Sequence, residues 1–256
     1  MGVAHSHAFL QNARFTLGKT VMFSPNEALR QLQEGNARFS MGLRSVNSLA
    51  TEERRRALAE FGQSPFAMVL SCADSRVPSE LVFDCGLGDL FVVRVAGNVV
   101  APSLIGSLEF AAEKFGTPLC LVMGHTSCGA IQASYDYVNS NTLPDSENVQ
   151  MIVQSISPSV KDIVVKNQGT SKDDLINLIT DHNVAHSVQE LVKQSAVLRR
   201  RITEGKLAIV GAKYCLHNGT VEFYDQGAPS DAARQALENP VSNLIGGINN
   251  ASNRPS

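Results

Sequence analysis

The chain predicts an α/β fold: a mainly parallel sheet of about four strands flanked by helices, with an added C-terminal edge hairpin and an N-terminal helical arm. Three observations carry that expectation. Four short apolar runs occur at residues 66–71, 90–95, 119–123 and 207–213, and the runs at 66–71 and 119–123 give way at once to small and turn-forming residues. Runs that are apolar throughout, rather than alternating, read as strands buried on both faces, the habit of parallel sheets. Helix-start signals fall between the runs, as an alternating β and α order requires. Near the end, Asn218-Gly219 lies between residues 214–217 and 220–224, a strong hairpin signal.

Taken in order, residues 1–23 carry no acidic residue and only Arg14 and Lys19 as formal charges. They are expected to form a flexible N-terminal arm that is disordered or embraces a partner, with His5 and His7 in solvent. The bias faintly resembles a transit peptide, and Gly2 with Ser6 fits the myristoylation pattern. Ser24-Pro25-Asn26-Glu27 opens a helix, with Ser as the cap, Pro at the first helical position and Glu closing the capping box. Ala28, Leu29 and Leu32 form its apolar face. Thr51-Glu52-Glu53 opens a second helix with acids against the N-terminal dipole, and Arg54-Arg55-Arg56 reads as a solvated face. These helices, within residues 24–62, begin a single domain spanning residues 24–225.

After the first strand, residues 78–84 predict a short helix ending near Gly86-Leu87-Gly88, with Cys85 buried. Pro102 opens a helix through Lys114, closed by Gly116 and Pro118, and another should begin near Gly129. Residues 139–149 read as a loop and residues 151–165 as a helix broken at Pro158. Ser171 caps the next helix, with Leu175, Leu178, Ile179, His182 and His186 down one side. Val188, Leu191 and Val192 extend the pattern to about Arg201, where Arg199-Arg200-Arg201 suits a helix C-terminus. His182 and His186 have helical metal-ligand spacing, but without a nearby acid ligand they read as a packing or surface pair. Cys120 and Cys215 read as structural thiols and His217 as exposed. Residues 226–256 are expected to be a partly disordered extension with a short helix at 231–237.

Composition excludes several classes. The 256 residues are 43% hydrophobic with a net charge of −2, which fits one sizeable core and offers no basic excess for nucleic acid. Five cysteines, an odd number without regular spacing, argue against a disulfide framework. No apolar run approaches a membrane span. A soluble, cytoplasmic protein of a reducing compartment is expected.

The chemistry concentrates in Cys72-Ala73-Asp74-Ser75-Arg76 and Gly124-His125-Thr126-Ser127-Cys128-Gly129, each at the end of a predicted core strand. Open α/β sheets place their ligands at such strand ends. His125 and Cys128 are close enough for one turn to present both to a metal, and a neighbouring parallel strand brings Cys72. Two thiolates and an imidazole are an established set for a catalytic zinc, which leaves a fourth position for water. The metal lowers the pKa of that water. Asp74 and Arg76 repeat the side of an extended segment on which Cys72 lies, so a fork pair between them is easy. Paired this way, Asp74 stays ionised and can accept a hydrogen bond from the water. Asp74 could alternatively fill the fourth position, giving a site that switches between open and blocked forms.

These residues resemble the signature of the β-class carbonic anhydrases. The resemblance extends over about residues 25–225 and includes Glu34-Gly35-Asn36-x-Arg38-Phe39, Phe91-Val92-Val93-Arg94-x-Ala96-Gly97-Asn98 and Ser107-Leu108-Glu109-Phe110. It implies that Cys72, His125 and Cys128 hold one zinc ion per chain and that Asp74 and Arg76 are the catalytic dyad. The Gly129 N–H would steady bicarbonate. Gln63 matches the plant-type position that reaches substrate across a dimer interface, and Phe91, Ala96 and Phe110 fall where that subtype lines a carbon dioxide pocket. Ala96 replaces the Val common there, which widens the pocket. Val69 stands where the other subtype has a Trp, so an open site without that subtype's bicarbonate pocket is expected. The implied assembly is a homodimer or a dimer of dimers, with the N-terminal helices over the partner.

Two rivals remain at this level. The same fold supports hydrolysis of carbonyl sulfide or carbon disulfide, which pocket width would decide. A catalytically silent zinc-binding structural or carbon-dioxide-sensing subunit is the other, against which Asp74, Arg76 and Gly129 all stand intact.

Overall fold

The computed structural model describes residues 23–43, 50–167 and 169–224. The expectations for residues 1–22, including the arm and its modification pattern, and for the extension at 226–256 lie outside the described residues. Among the described residues no helix is long and apolar enough to cross a membrane.

Helix α1 (Pro25–Ser40) begins with the capping box read from sequence: the Ser24 side chain accepts from Glu27 N–H, and Glu27 accepts from Ser24 N–H at 2.8 Å. Its buried face is Ala28, Leu29, Leu32, Gly35 and Asn36. Gly35 is forced by proximity, since a Cβ there would lie 1.9 Å from the Phe83 carbonyl oxygen. Asn36 then ties the helix to distant backbone. Its Nδ2 donates to the Val82 and Gly219 carbonyls, and its Oδ1 accepts from Val221 N–H. Helix α2 (Glu52–Phe61) is capped by Thr51. Arg54 corrects the solvated-face expectation: it reaches back to Asp89 at 2.8 Å and to the Leu87 carbonyl, with 14% of its side chain exposed. Arg55 and Arg56 do lie in solvent.

Strands β1 (Ala67–Ser71), β2 (Leu90–Arg94), β3 (Leu119–His125), β4 (Ala208–Tyr214) and β5 (Val221–Phe223) form one sheet in the order β2-β1-β3-β4-β5. The first four are parallel and β5 is antiparallel to β4. Alternate β1 residues enter opposite cores. Ala67 and Val69 pack with α1, whereas Met68 and Leu70 pack with α4 (Pro102–Lys114) and α7 (Lys172–Gln194). Burial on both faces explains why these strands read as unbroken apolar runs. From β1 the chain passes through α3 (Ser79–Val82) to β2 on one side, then through α4 to β3 on the other. The C-terminal ends of β1 and β3 therefore flank a topological switch point, where such sheets leave a crevice.

Helices α5 (Gly129–Ser140), α6 (Glu147–Lys166) and α7 close that end. Ile131, Ile156, Val160, Ile176 and Ile179 form a third apolar cluster there with Cys72 and Cys128. Several local expectations are corrected. Pro158 does not break α6, which runs unbroken through it. Gln154, whose carbonyl loses its helical donor to Pro158, lies on the wall of an open cavity, where that carbonyl can be solvated. The long helix after Ser171 ends at Gln194, and Ser195 caps a new one, α8 (Ala196–Thr203), while its hydroxyl donates to Glu109 at 2.5 Å. The buried side of α7 also differs from the one read: it includes Ile176, Thr180, Asn183, Val184 and Ser187, with Leu178 only half-buried. The hairpin is looser than a two-residue turn, because Cys215 N–H pairs with Thr220 and the strands begin beyond them. Cys85 is half-buried, its Sγ donating to the Phe83 carbonyl.

Candidate metal centre

Parallel register sets the site. Ser71, the last residue of β1, pairs with Met123 on β3 and with Arg94 on β2. Cys72 leaves β1 at the point where His125 ends β3, and Cys128 follows after Ser127, held in the left-handed region at φ 55°. That backbone costs a non-glycine residue about 1–2 kcal/mol, and it folds Cys128 back beside His125. Thr126 anchors the turn by donating its N–H to the Tyr214 carbonyl and accepting Leu216 N–H on its hydroxyl.

Cys72, His125 and Cys128 converge with their ligand atoms all within 4.8 Å of one another. All three are buried, His125 completely. The two sulfurs are 4.0 Å apart. Two zinc–sulfur bonds of about 2.3 Å at a tetrahedral angle place sulfurs about 3.8 Å apart, so the spacing fits that ion. The imidazole is oriented for it as well. His125 Nδ1–H donates to the Thr126 carbonyl at 2.9 Å, which leaves Nε2 as the lone-pair nitrogen, and this buried atom has no hydrogen-bond partner. An orphaned buried acceptor beside two thiols is a donor set that a zinc ion would satisfy.

The two sulfurs form a hydrogen bond in which either can be the donor. Cys72 is held well below the usual thiol range, first by its hydrogen bond with Cys128, against burial, and further by the amides of Gly97 and Asp74. Cys128 is pushed up by the same hydrogen bond and by burial. The amides of Ala130 and Ile131, in the first turn of α5, point at the Cys128 sulfur and favour its thiolate once that proton is displaced.

Asp74 and Arg76 form the expected fork. Nε and Nη2 of Arg76 donate to Oδ1 and Oδ2 at 2.9 and 2.7 Å, and Arg76 N–H also reaches Oδ1. Arg76 further donates to the Ser127 carbonyl, tying the two loops together. Its hydrogen bonds hold the Asp74 carboxyl far below the usual carboxylate range, against a smaller opposing effect of burial. Oδ2 lies 4.0 Å from His125 Nε2, so the carboxylate borders the donor group while turned toward Arg76.

Sequence reasoning assigned no role to Arg94, although it shapes this loop. Its Nε donates to the Cys72 carbonyl at 3.1 Å and its Nη2 to the Asp74 carbonyl at 2.5 Å. The signal was the strand register, which sequence does not contain. Of the substrate positions, Gly129 opens α5 and Ala96 opens the 3₁₀ turn Ala96–Asn98 beside Cys72. Gln63, Phe91 and Phe110 do not join them within one chain. Gln63 precedes the other end of β1, about 17 Å of strand away, in an open apolar hollow with Leu58, Leu87 and Phe115. Phe91, Phe110 and Phe115 make a ring cluster, centroids 5.7–6.4 Å apart, with Phe110 53% exposed.

The family model described as carbonic anhydrase matches residues 67–221. Carbonic anhydrase 2 of Mycobacterium tuberculosis is 39% identical over 202 residues, covering 79% of this chain and 94% of that protein. Among solved structures, the β-carbonic anhydrase CafA of Aspergillus fumigatus aligns with a TM-score of 0.61 at 22% identity, over 83% of this chain and 96% of that one. A structure from the study of two tetrameric β-carbonic anhydrases of Sordaria macrospora gives 0.60 at 18% identity, over 67% and 86%. At these identities the structural likenesses speak for the fold alone.

Proposed function

Because the chain belongs to the β-class carbonic anhydrase family, we propose that it catalyses zinc-dependent, reversible hydration of carbon dioxide to bicarbonate and a proton, with Cys72, His125 and Cys128 as the zinc ligands. The observation that carries this reading is the buried, partnerless Nε2 of His125 facing two sulfurs 4.0 Å apart, beside a carboxylate fixed by an arginine fork. Zinc, when bound, lowers the pKa of water to near neutrality and supplies a nucleophile that bulk water does not.

The chain's own residues provide the rest. Asp74, kept ionised by Arg76, acts only as a hydrogen-bond acceptor, so it orients the reacting O–H and fixes the direction of the oxygen lone pair toward carbon dioxide. Arg76 holds Asp74 in that pose and keeps it off the metal, which corresponds to the open form. The Gly129 N–H, in the first turn of α5, offers a donor and a favourable dipole to the anionic product. The released proton leaves to bulk water.

Gln63, Phe91 and Phe110 reach substrate across a dimer interface in this reading. Their location away from Cys72 in the same chain, and the exposure of Phe110 and of Phe61 on α2, support an apolar surface that a second copy covers. The test is steady-state carbon dioxide hydration by the wild type, by Asp74→Asn and by His125→Ala, with zinc and oligomeric state measured on each. Hydration dependent on zinc and on Asp74 is expected; hydration by zinc-free protein would overturn the assignment.

A further inference from the structure

Gly97 and Asn98 form a left-handed pair between β2 and α4, at φ 70° and 45°. Such a backbone is strained for a non-glycine residue such as Asn98 and persists only where its surroundings hold it. The turn meets the donor set where Gly97 N–H donates to Cys72 Sγ at 3.3 Å. What holds the turn comes from α7, far downstream. Asn183 Nδ2 donates to the Gly97 carbonyl at 2.9 Å, and Ser187 Oγ donates to the Asn98 carbonyl at 3.0 Å. The two side chains are one helical turn apart on the same face, and their residues are 1% and 2% exposed.

The turn is buried, and its Asn98 N–H also donates to the Val95 carbonyl. A Cβ on Gly97 would meet Ile156 Cδ1 at 2.6 Å and Ala130 Cβ at 3.1 Å, and its φ of 70° further favours glycine there. Val99 and Val100, which follow the turn, wall a cavity of about 300 Å³ between α6 and α7 together with Asn183, Ser187 and Pro158. Without the bonds from Asn183 and Ser187 the two carbonyls of the turn lose their anchors beside this cavity, and the Gly97 N–H is free to shift relative to the sulfur. The two hydrogen bonds from α7 are the side-chain anchors on those carbonyls.

We propose that Asn183 and Ser187 are positioning residues for the metal centre, clamping the Gly97–Asn98 carbonyls so that the Gly97 N–H stays on the Cys72 sulfur. The inference rests on Cys72 being a metal ligand. A hydrogen bond to a thiolate ligand fixes its direction and draws charge from it, and partners of this kind tune both affinity and the metal's electronic state.

The test compares Ser187→Ala and Asn183→Ala with Val188→Ala, a neighbouring apolar core residue of α7 with no polar side-chain atom to offer the turn. Each is prepared with zinc and with cobalt(II) in its place, and thermal stability, zinc affinity and the sulfur-to-cobalt charge-transfer band are measured. Both clamp variants are expected to move the band to lower energy and to weaken zinc by about 10–100-fold. Val188→Ala is expected to lose stability while keeping the wild-type band and affinity. If Asn183→Ala does not fold, Ser187→Ala, which deletes a single hydroxyl, decides alone. Wild-type band and affinity in Ser187→Ala, or equal changes in Val188→Ala, would overturn the proposal. A wild-type cobalt protein with no sulfur-to-cobalt band would instead remove Cys72 from the metal and overturn the ligand assignment beneath it.

Discussion

Replacing Asp74 by Asn tests the carboxylate separately from the sulfur and imidazole donors. The side chain keeps its shape, but one oxygen becomes an NH₂ donor. Arg76 N–H and Nε both point at Oδ1 at 2.9 Å, and Nη2 points at Oδ2 at 2.7 Å. An amide oriented to keep the first two bonds places its NH₂ against Nη2, donor against donor, on the side nearest His125 Nε2. The opposite orientation sacrifices both bonds to Oδ1. In either pose the fork opens, and the acceptor required for the reacting O–H is lost or misplaced. Removing one preorganised group of this kind costs about 10²–10³-fold in turnover. Zinc content should not change, because the Asp74 side chain is outside the sulfur and imidazole set. Stopped-flow hydration with zinc assayed on the same sample reads both quantities. Wild-type-like turnover in zinc-loaded Asp74→Asn would remove Asp74 from the mechanism.

Three further outcomes follow from the fold. Gly35→Ala, normally favourable in a helix, should destabilise by about 2 kcal/mol or more, since the new methyl meets a backbone oxygen that cannot move aside. Unfolding in urea with a wild-type midpoint would contradict that contact. Asn36→Leu strands two carbonyls and one N–H that it now pairs, a loss of about 3 kcal/mol, and unchanged stability would mean that water replaces all three bonds. Cys120 is fully buried and its thiol is pushed up to about 12 by that burial. A raised folded pKa gives stability that is complete below the unfolded value and lost as pH rises. Wild type should therefore lose about 1 kcal/mol per pH unit, relative to Cys120→Ala, above roughly pH 9. Parallel stability curves for the two proteins from pH 8 to pH 10.5 would refute it.

The sequence is legible wherever one local rule governs. Pro102–Lys114 and the start of α5 at Gly129 lie where Pro, Gly and apolar spacing put them. The strand ends carrying Cys72 and His125 were readable because a buried parallel strand is apolar throughout and stops abruptly. Failures occur where a distant element decides. Arg54 looked solvated until α2 was laid against Asp89. Pro158 looked like a break, although the helix around it is held by packing of Ile156 and Val160. The buried side of α7 was misread because Asn183 and Ser187 are polar, and their partners are carbonyls more than eighty residues earlier in the chain. Arg94 was unassigned for the same reason, its role fixed by register with β1.

The central claim is that this donor set holds zinc and hydrates carbon dioxide with Asp74 turned away from the metal. Its most direct test is stopped-flow carbon dioxide hydration by purified protein of known zinc content, at neutral pH and again near pH 8.5. About one zinc per chain and rapid hydration at both pH values are predicted, because the arginine fork holds Asp74 in the open arrangement. Activity confined to the higher pH would place Asp74 on the metal at neutral pH and contradict that arrangement. Full zinc occupancy without hydration at either pH would contradict the claim itself.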